Sequence, residues 1–361
     1  MRAWLTTLVM GLLACDGTSN PVTAVSVEST LFDHPQALAF IGDRLVVANT
    51  GFDPDDWRPG ELLLVQVDTL EVERIAPTAM LNPQRLVVDE DRLVVVETGI
   101  LDLSDFDNPR ATTPGAIEVF PLTEAGLDNN STVYALDSAP IDLALRGQRA
   151  VVSSALQPIV WSLDLSTNED EVAAPSPLMP SAELGLGAVK PWRDGFVLVD
   201  FNSDYLHVLD DAGLPTGCNL DLGESDAIEG AQSPWVEGDL LYVVLALSGV
   251  IRRVDLGRLS GACEAPVETV VSNIGQIPND LHVRGDDVYV VHSADNNVVV
   301  YGLDDGIERR RYILPRGSNP WHAAFSPDGR TLAVTEWRGQ GVSFFDVETG
   351  VRRRVGATNA P

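Results

Sequence analysis

A unit of roughly 45 residues recurs through most of the chain, and this repeat restricts the fold more than any other feature of the sequence. The clearest copy covers residues 319–355 and reads as four short strands: 321–325, 331–335, 342–347 and 351–355. Two turns between them contain PDG at 327–329 and ETG at 348–350, because proline presets φ and glycine tolerates positive φ. Each unit is therefore predicted to be a four-stranded antiparallel meander.

Seven copies can be aligned, and they begin at residues 35, 83, 140, 186, 231, 278 and 320. This spacing is typical of β-propeller blades, which repeat about every 40–50 residues. The second strand of most copies is a nearly continuous apolar run, as in 45–48 and 288–291, and blades stacked around an axis cover such strands on both faces. Valine-rich runs without 3.6-residue periodicity exclude a helical repeat. The sequence predicts an all-β, seven-bladed β-propeller of four-stranded antiparallel blades.

Two further patterns concern the edges of these blades. Residues 22–29 form one extra strand that is predicted to join the last blade and close the ring, either beside 342–347 or beyond 351–355. The third strand ends in aspartate in six copies, and blade two instead has Pro121. A carboxylate at that position can accept backbone N–H bonds in the following turn, so these aspartates are interpreted as structural. They are Asp68, Asp164, Asp210, Asp255, Asp304 and Asp346.

The last copy, FSPDGRTLAVTEW followed by VSFFDVETG, resembles a YVTN-type repeat, as does the copy before it. The chain from residue 22 resembles the seven-bladed YVTN or YncE-like propellers of bacterial envelopes, although the first three copies carry longer loops. The resemblance implies the architecture and says little about the chemistry, because members of such families share a fold more than an activity.

The N-terminus is typical of a secreted protein. Residues 1–15, MRAWLTTLVMGLLAC, combine a charged start at Arg2, an apolar stretch and a small residue before cysteine, which predicts a secretory signal. The apolar stretch is shorter than the ~20 residues that a membrane-spanning helix needs. Leu12-Leu13-Ala14-Cys15 resembles the lipobox of bacterial lipoproteins, and this resemblance implies lipidation of Cys15 after cleavage before it. The alternative is ordinary signal cleavage with Cys15 incidental.

We therefore expect a signal peptide at 1–14, a lipidated cysteine with a short tether at 15–21, and the propeller at 22–361. The expected location is the bacterial cell envelope, outside the cytoplasm and anchored by lipid to the inner or outer membrane. In that oxidising setting Cys218 and Cys263 are predicted to form a disulfide, the alternative being two separate buried thiols. The sequence has no CxxC or Cys/His cluster that would indicate zinc or haem.

Charge limits the partners. Lys and Arg number 24 against 53 Asp and Glu, a formal net charge of −29. Nucleic acid is excluded as a partner, because its affinity comes mainly from cationic side chains that displace counterions from phosphate. An acidic surface instead favours solubility, metal cations or basic partners.

Candidate binding residues follow from aligning the copies. The first strand of each blade lies nearest the axis, so the first residues of these strands are expected to ring one mouth of the channel. We predict a binding cluster of Arg85, Asp142, Asp280 and His322; the alternative is that Arg85 neutralises Asp142 and the others are hydrated lining. Neighbouring members of the predicted site are Gln36, Gln84, Gln232, Asn279, Trp321 and Trp57.

The connections between second and third strands should open on the same face, and two of them are long: 50–60 in blade one and 98–115 in blade two. Long loops on a rigid scaffold often carry function. Asp102, Asp105 and Asp107 could hold calcium, although their spacing is not that of an EF-hand; the alternative is a solvated acidic loop.

Two functions remain open. We expect a membrane-tethered binding or scaffolding protein, monomeric and without a cofactor, that takes a peptide, glycan or partner protein at the channel mouth and the two long loops. The alternative is a calcium-dependent lactone hydrolase, because Pro278-Asn279-Asp280 resembles the Asn-Asp turn of SMP-30-like lactonases. That resemblance implies a metal that polarises the lactone carbonyl and a carboxylate base. Those propellers have six blades, and no catalytic residue is assigned here.

Overall fold

Seven antiparallel sheets follow one another along the chain and surround a central channel, which confirms the predicted seven-bladed propeller. The computed structural model describes residues 25–357 except 54–55, 90, 103, 105–108, 124–125, 167–175, 178–186 and 226. The predicted signal peptide at 1–14, Cys15 and the predicted tether at 15–21 lie outside the described residues. The blades begin where the repeats predicted, since six of the seven innermost strands start at the expected residue and the fourth starts at Gly187.

The strands of each position are as follows. The innermost strands are Pro35–Ile41, Pro83–Asp89, Pro140–Arg146, Gly187–Trp192, Ala231–Glu237, Pro278–Arg284 and Pro320–Phe325. The second strands are Arg44–Asn49, Arg92–Glu97, Arg149–Ser154, Gly195–Asp200, Leu240–Leu245, Asp287–His292 and Thr331–Glu336. The third strands are Glu61–Gln66, Gly115–Thr123, Ile159–Asp164, Tyr205–Leu209, Val250–Asp255, Asn297–Gly302 and Gly341–Asp346. The outer strands are Val72–Pro77, Thr132–Leu136, Ser176–Pro177, Pro215–Asp221, Val267–Ser272, Glu308–Ile313 and Arg352–Gly356.

Short elements complete the fold. Leu101–Asp102 pairs with Arg110–Ala111 inside the long connection of blade two, and Gly126–Leu127 pairs with the end of the third strand of that blade. A 3-10 turn covers Leu256–Arg258. No helix in the part of the chain that the structure describes combines the length and the apolar composition that a membrane crossing requires.

The apolar second strands form the interior of the ring, as their composition predicted. In blade one, Leu45 and Val47 pack with Val342 and Phe344 of the last blade. The alternate residues of the same strand, Val46 and Ala48, pack instead with residues of the second blade. Because successive side chains of a strand point to opposite faces, a strand that is apolar throughout contacts both neighbouring blades.

Val25–Glu28 closes the ring. It pairs in parallel with Arg352–Gly356 as the outermost strand of the last blade, with Val25 opposite Arg353 and Glu28 opposite Gly356. Of the two placements left open by the sequence, the outer one is therefore observed. The last blade thus contains strands from both ends of the described chain, and its outer strand is hydrogen-bonded on both sides.

The turns behave as their sequences predicted. Asp164, Asp210, Asp255 and Asp346 accept backbone N–H bonds in the turns that follow their strands. Gly329 has φ +71° and Gly350 has φ +76°, the left-handed region that glycine adopts without steric cost. These aspartates are accounted for by local structure.

The predicted disulfide is present. Cys218 lies in the outer strand of blade four and Cys263 in the last connection of blade five, and the two are bonded across a sequence separation of 45. The bond therefore links neighbouring blades at their outer rims.

Candidate binding site at the channel mouth

The innermost strands surround a cavity of about 2060 Å³. One end of it is the mouth, where the innermost strands begin and the second strands end, since Pro35 lies opposite Asn49 and Pro278 opposite His292. The connections between second and third strands therefore open at this end, as the sequence predicted. Residues from all seven blades line the cavity.

Six ionisable side chains meet inside the mouth, and we call them the charged cluster: Arg85, Asp142, Lys190, Asp280, His282 and His322. Arg85 Nε lies 3.1 Å from Asp142 Oδ1, and Arg85 Nη1 lies 4.0 Å from Asp280 Oδ1. Asp142 belongs to the next blade, whereas Asp280 is on the far side of the ring. The Arg85 side chain therefore extends across the channel. All four predicted cluster residues are brought together.

The two aspartates of the cluster also join neighbouring blades. Asp142 Oδ2 accepts the N–H of Val189 at 3.0 Å, and Asp280 Oδ2 accepts the N–H of Ala323 at 2.9 Å. Val189 and Ala323 occupy the same position in the innermost strand of the following blade, which is the edge of its sheet. An edge strand exposes unpaired N–H groups, and these carboxylates satisfy one in each case. The ion pair between Arg85 and Asp142, the alternative offered by the sequence, is present as well.

Burial and charge set the ionisation of the cluster. Burial opposes the charge on Asp142, but Lys190 and Arg85 hold the pKa of its carboxyl below the usual value. Burial likewise opposes the charge on Asp280, and His282 keeps its pKa low. Burial lowers the pKa of Lys190, partly offset by Asp142. Burial, followed by the Arg85 charge, lowers the pKa of His322 to about 4, so this imidazole is neutral at pH 7.

The cations of the cluster face the lumen more than the acids do. The exposed fraction of the side chain is 26% for Arg85 and 20% for Lys190, against 7% for Asp142 and 5% for Asp280. His322 Nδ1 is buried without a hydrogen-bond partner in the described part of the chain. The mouth therefore presents nitrogen atoms to its contents, with the carboxylates behind them.

The predicted amide residues are held by hydrogen bonds, two of which join neighbouring blades. Gln36 donates to Gln84 Oε1, and Gln84 donates to Asn82 Oδ1 at 2.6 Å. Gln232 donates to the carbonyl of Pro278, and Asn279 donates to Ser293 Oγ. Each of these side chains lines the cavity while it already holds an intramolecular bond.

An aromatic cluster lies beside the charged one, formed by His34, Phe52, Trp57 and Trp337. The ring centroids are 4.7 Å apart for His34 and Trp337, and 5.0 Å apart for Phe52 and Trp57. Phe52 and Trp57 come from the long connection of blade one, whereas Trp337 comes from the last blade. Trp57 was predicted, and the structure adds the other three rings. Trp321 also lines the cavity.

The predicted calcium loop is only partly described. Asp102 accepts hydrogen bonds from the N–H and Oγ of Ser104 and pairs with Arg110 Nη2 at 2.9 Å. The bonds from Ser104, aided by Arg110, lower the pKa of Asp102 to about 2. Asp105 and Asp107 lie outside the described residues. Within those residues no group of three or more His, Cys, Asp or Glu side chains is arranged to hold a metal ion.

Sequence reasoning missed Lys190 and His282. Both lie two residues beyond a mouth position, after Ala188 and Asp280 respectively, and alternation along a strand places residues i and i+2 on one face. That period-two signal was available in the sequence. The proximity of Trp337 to His34 had no local signal, because it depends on closure of the ring.

Comparison with known proteins agrees with the architecture. No protein-family model matches the chain, and no curated protein matches it either. Solved propellers do match: streptogramin B lyase at 11% identity, covering 86% of this chain and 92% of that one with a TM-score of 0.63. The Cps50 (Swd1) β-propeller of Myceliophteria thermophila matches at 13% identity, 89% and 96% coverage, and a TM-score of 0.62. A candidate 6-phosphogluconolactonase of Bacteroides uniformis matches at 12% identity, 79% and 87% coverage, and a TM-score of 0.58.

The chain is a seven-bladed β-propeller. At identities this low the likeness concerns the fold alone, and a lyase and a candidate lactonase are found beside a propeller with no enzymatic name. Any function of this propeller therefore has to be argued from its own channel mouth.

Proposed function

We propose that this propeller is an extracytoplasmic binding protein of the YVTN or YncE-like kind, tethered to a bacterial membrane through Cys15, that holds a ligand in its channel mouth. One observation carries the binding proposal. A single cavity of about 2060 Å³ is lined both by apolar side chains, which we call the wall, and by the charged cluster. Ligand sites combine mostly apolar linings with a few placed polar groups.

The wall comes from the connections that open at the mouth. The connections of four successive blades contribute one apolar side chain each: Leu101, Leu156, Phe201 and Leu247. Trp321 lies at the start of the innermost strand of the last blade. Leu247 lines the cavity and is 38% exposed, so part of its apolar surface is accessible to a ligand in the mouth. A ligand with an apolar part, such as a peptide side chain or the apolar face of a glycan, would bury it here.

Binding is favoured over hydrolysis by the contacts of Asp280. Its Oδ1 accepts the N–H of Leu281 at 3.1 Å, and its Oδ2 accepts the N–H of Ala323 and faces His282 Nε2 at 2.9 Å. A calcium ion bound by Asn279 and Asp280, as the lactonase alternative requires, would compete with these bonds for the Asp280 oxygens. We therefore propose a binding protein.

The uncharged fluorescent probe N-phenyl-1-naphthylamine tests the apolar mouth. We expect saturable binding to a protein that starts after Cys15, weakened about fivefold or more by Trp321→Ala or Leu247→Ser, because both remove apolar contact area. Ile307→Ser is the matched control, since Ile307 is 62% exposed and does not line the cavity. Equal weakening by the control, or absence of saturable binding, would refute the proposal.

Mass spectrometry tests the tether. Protein extracted from membranes should carry diacylglycerol and an amide-linked acyl chain on Cys15, and Cys15→Ser should move the protein to the soluble fraction. Two or more acyl chains are sufficient for stable anchoring, since each buried methylene contributes about 0.8 kcal/mol. A wild-type protein that is soluble, or whose Cys15 is unmodified, contradicts the tether and leaves the binding proposal unaffected.

A further inference from the structure

The two cations in the channel mouth, Lys190 and Arg85, have more N–H groups than the described chain offers them acceptors. Lys190 Nζ has three N–H groups and one partner, Asp142 at 3.3 Å. Arg85 places Nε beside Asp142 and Nη1 at 4.0 Å from Asp280, and within the described residues its Nη2 has no partner. Both cations thus keep N–H groups available to the lumen, where 26% of the Arg85 side chain and 20% of the Lys190 side chain are exposed.

Three of the four carboxylate oxygens, by contrast, accept hydrogen bonds, and the fourth, Asp142 Oδ1, is buried 3.1 Å from Arg85 Nε without a hydrogen bond in the described chain. Asp142 Oδ2 accepts from Val189 and Lys190, and both oxygens of Asp280 accept backbone N–H groups. Their side chains are 7% and 5% exposed. A cation entering the mouth would meet Arg85 and Lys190 before it reached either acid. The cluster is therefore complementary to negative charge, although the whole chain carries a formal charge of −29.

From these contacts we propose that the mouth selects organic anions: the apolar body of the ligand lies against the wall formed by Trp321, Leu247 and their neighbours, while a carboxylate, sulfonate or phosphate binds Arg85 and Lys190. This inference rests on the proposed function. Hydrogen bonds between ionised partners are about twice as strong as neutral ones, and an Arg fork suits a planar or tetrahedral oxyanion.

The overall acidity of the protein does not oppose this site at physiological salt. Charges in solvent more than about 8 Å apart are largely screened at 0.15 M ionic strength, whereas partly buried pairs are screened much less. The surface carboxylates therefore slow the approach of an anion more than they weaken its final contacts. Selectivity is decided by the donors inside the mouth.

A matched pair of probes tests the inference. 1-Anilinonaphthalene-8-sulfonate and N-phenyl-1-naphthylamine share one aromatic body and differ in the sulfonate. On the wild-type protein after Cys15 at pH 7, we expect the sulfonate to bind about tenfold more tightly than the uncharged probe, as charge-assisted hydrogen bonds predict. Lys190→Gln and Arg85→Gln should each reduce this preference to threefold or less while the affinity for the uncharged probe is retained.

Arg253→Gln is the control, because Arg253 pairs with Glu268 at the surface and does not line the cavity. It removes the same charge and should keep the preference. Lys190→Gln keeps the test valid if Arg85→Gln fails to fold, since Arg85 and the N–H of Val189 still contact Asp142.

Each possible result of the probe experiment supports or refutes the selection of anions. If the two probes bind equally, or if Lys190→Gln keeps the preference, selection of anions by this cluster is refuted while apolar binding at the mouth stands. If neither probe binds, both the inference and the proposed function fail. If Arg253→Gln loses the preference as strongly as Lys190→Gln, net charge and not the cluster is responsible, and the inference is refuted. Parallel titrations with phenylacetate and phenyl phosphate as competitors distinguish carboxylate from phosphate ligands.

Discussion

Replacing Arg354 by methionine is expected to lower the free energy of unfolding by about 3–5 kcal/mol, the usual cost of leaving a buried charge without its partner. Arg354 Nε donates to Glu336 Oε2 at 2.9 Å, Nη2 to the carbonyl of Gly339, and Nη1 to that of Ala357. Glu336 is completely buried, and Ser343 is its other side-chain donor. These contacts lie within the blade that closes the ring.

The pH dependence of this loss identifies its cause. Burial raises the pKa of Glu336 although Arg354 opposes that effect, so without Arg354 the carboxyl is neutral over a wider pH range. Urea unfolding should therefore show a larger loss at pH 8 than at pH 5. The double variant Glu336→Gln with Arg354→Met should recover part of the stability, and Arg253→Met, at an exposed pair, should change it by less than about 1 kcal/mol. A loss that does not vary with pH would mean that lost packing, not the uncompensated carboxylate, is responsible.

Replacing Glu97 by glutamine is expected to stabilise the protein above pH 7 and to have little effect near pH 5. Glu97 is completely buried beside Glu118, which is 2% exposed. Burial, followed by the charge of Glu118, raises the pKa of Glu97 from 4.5 to about 8. The folded protein therefore keeps a proton that the unfolded chain releases above pH 4.5, and its stability falls as the pH rises towards 8, by on the order of 4 kcal/mol.

Glutamine at position 97 can make the same hydrogen bonds as the protonated glutamate, and it has no proton to release as the pH rises. Its oxygen can accept the N–H of Met80, as Glu97 Oε1 does at 2.9 Å, and its amide can donate to Glu118. Urea unfolding at pH 5, 7 and 9 should give curves that converge in acid and separate in base, with the variant more stable. Glu237→Gln, at an exposed position, should follow the wild type throughout. Parallel curves for Glu97→Gln would contradict a retained proton.

The fold was predictable because each blade encodes it separately. Pro83, Pro140 and Pro278 mark strand starts, and apolar second strands require cover on both faces, so counting the copies predicts the ring. In blades one and six, one unpaired residue, Gln36 or Asn279, shifts the pairing between the innermost and second strands. The fourth blade lacks this extra residue, because Gly187 and Ala188 pair with two consecutive residues of the second strand. A uniform alignment of the copies could not show that difference.

The candidate site was predictable only as far as the repeat extends. Arg85, Asp142, Asp280 and His322 share one repeat position, and symmetry alone brings that position to the mouth. The direction in which Arg85 extends is not a property of the repeat, because it depends on acids in blades three and six together. Glu97 and Glu118 likewise meet across two strands of one blade, a diagonal contact that depends on register.

Parallel pairing of Val25–Glu28 with Arg352–Gly356 has a kinetic consequence. The strand Val25–Glu28 stays without this partner until residues 352–356 have been synthesised, so the contacts that close the ring are between residues very distant in sequence. Such contacts form slowly, and the open intermediate exposes unpaired strand edges to other chains. Efficient folding would then depend on protecting those edges from other chains until residues 352–356 have paired with the first strand.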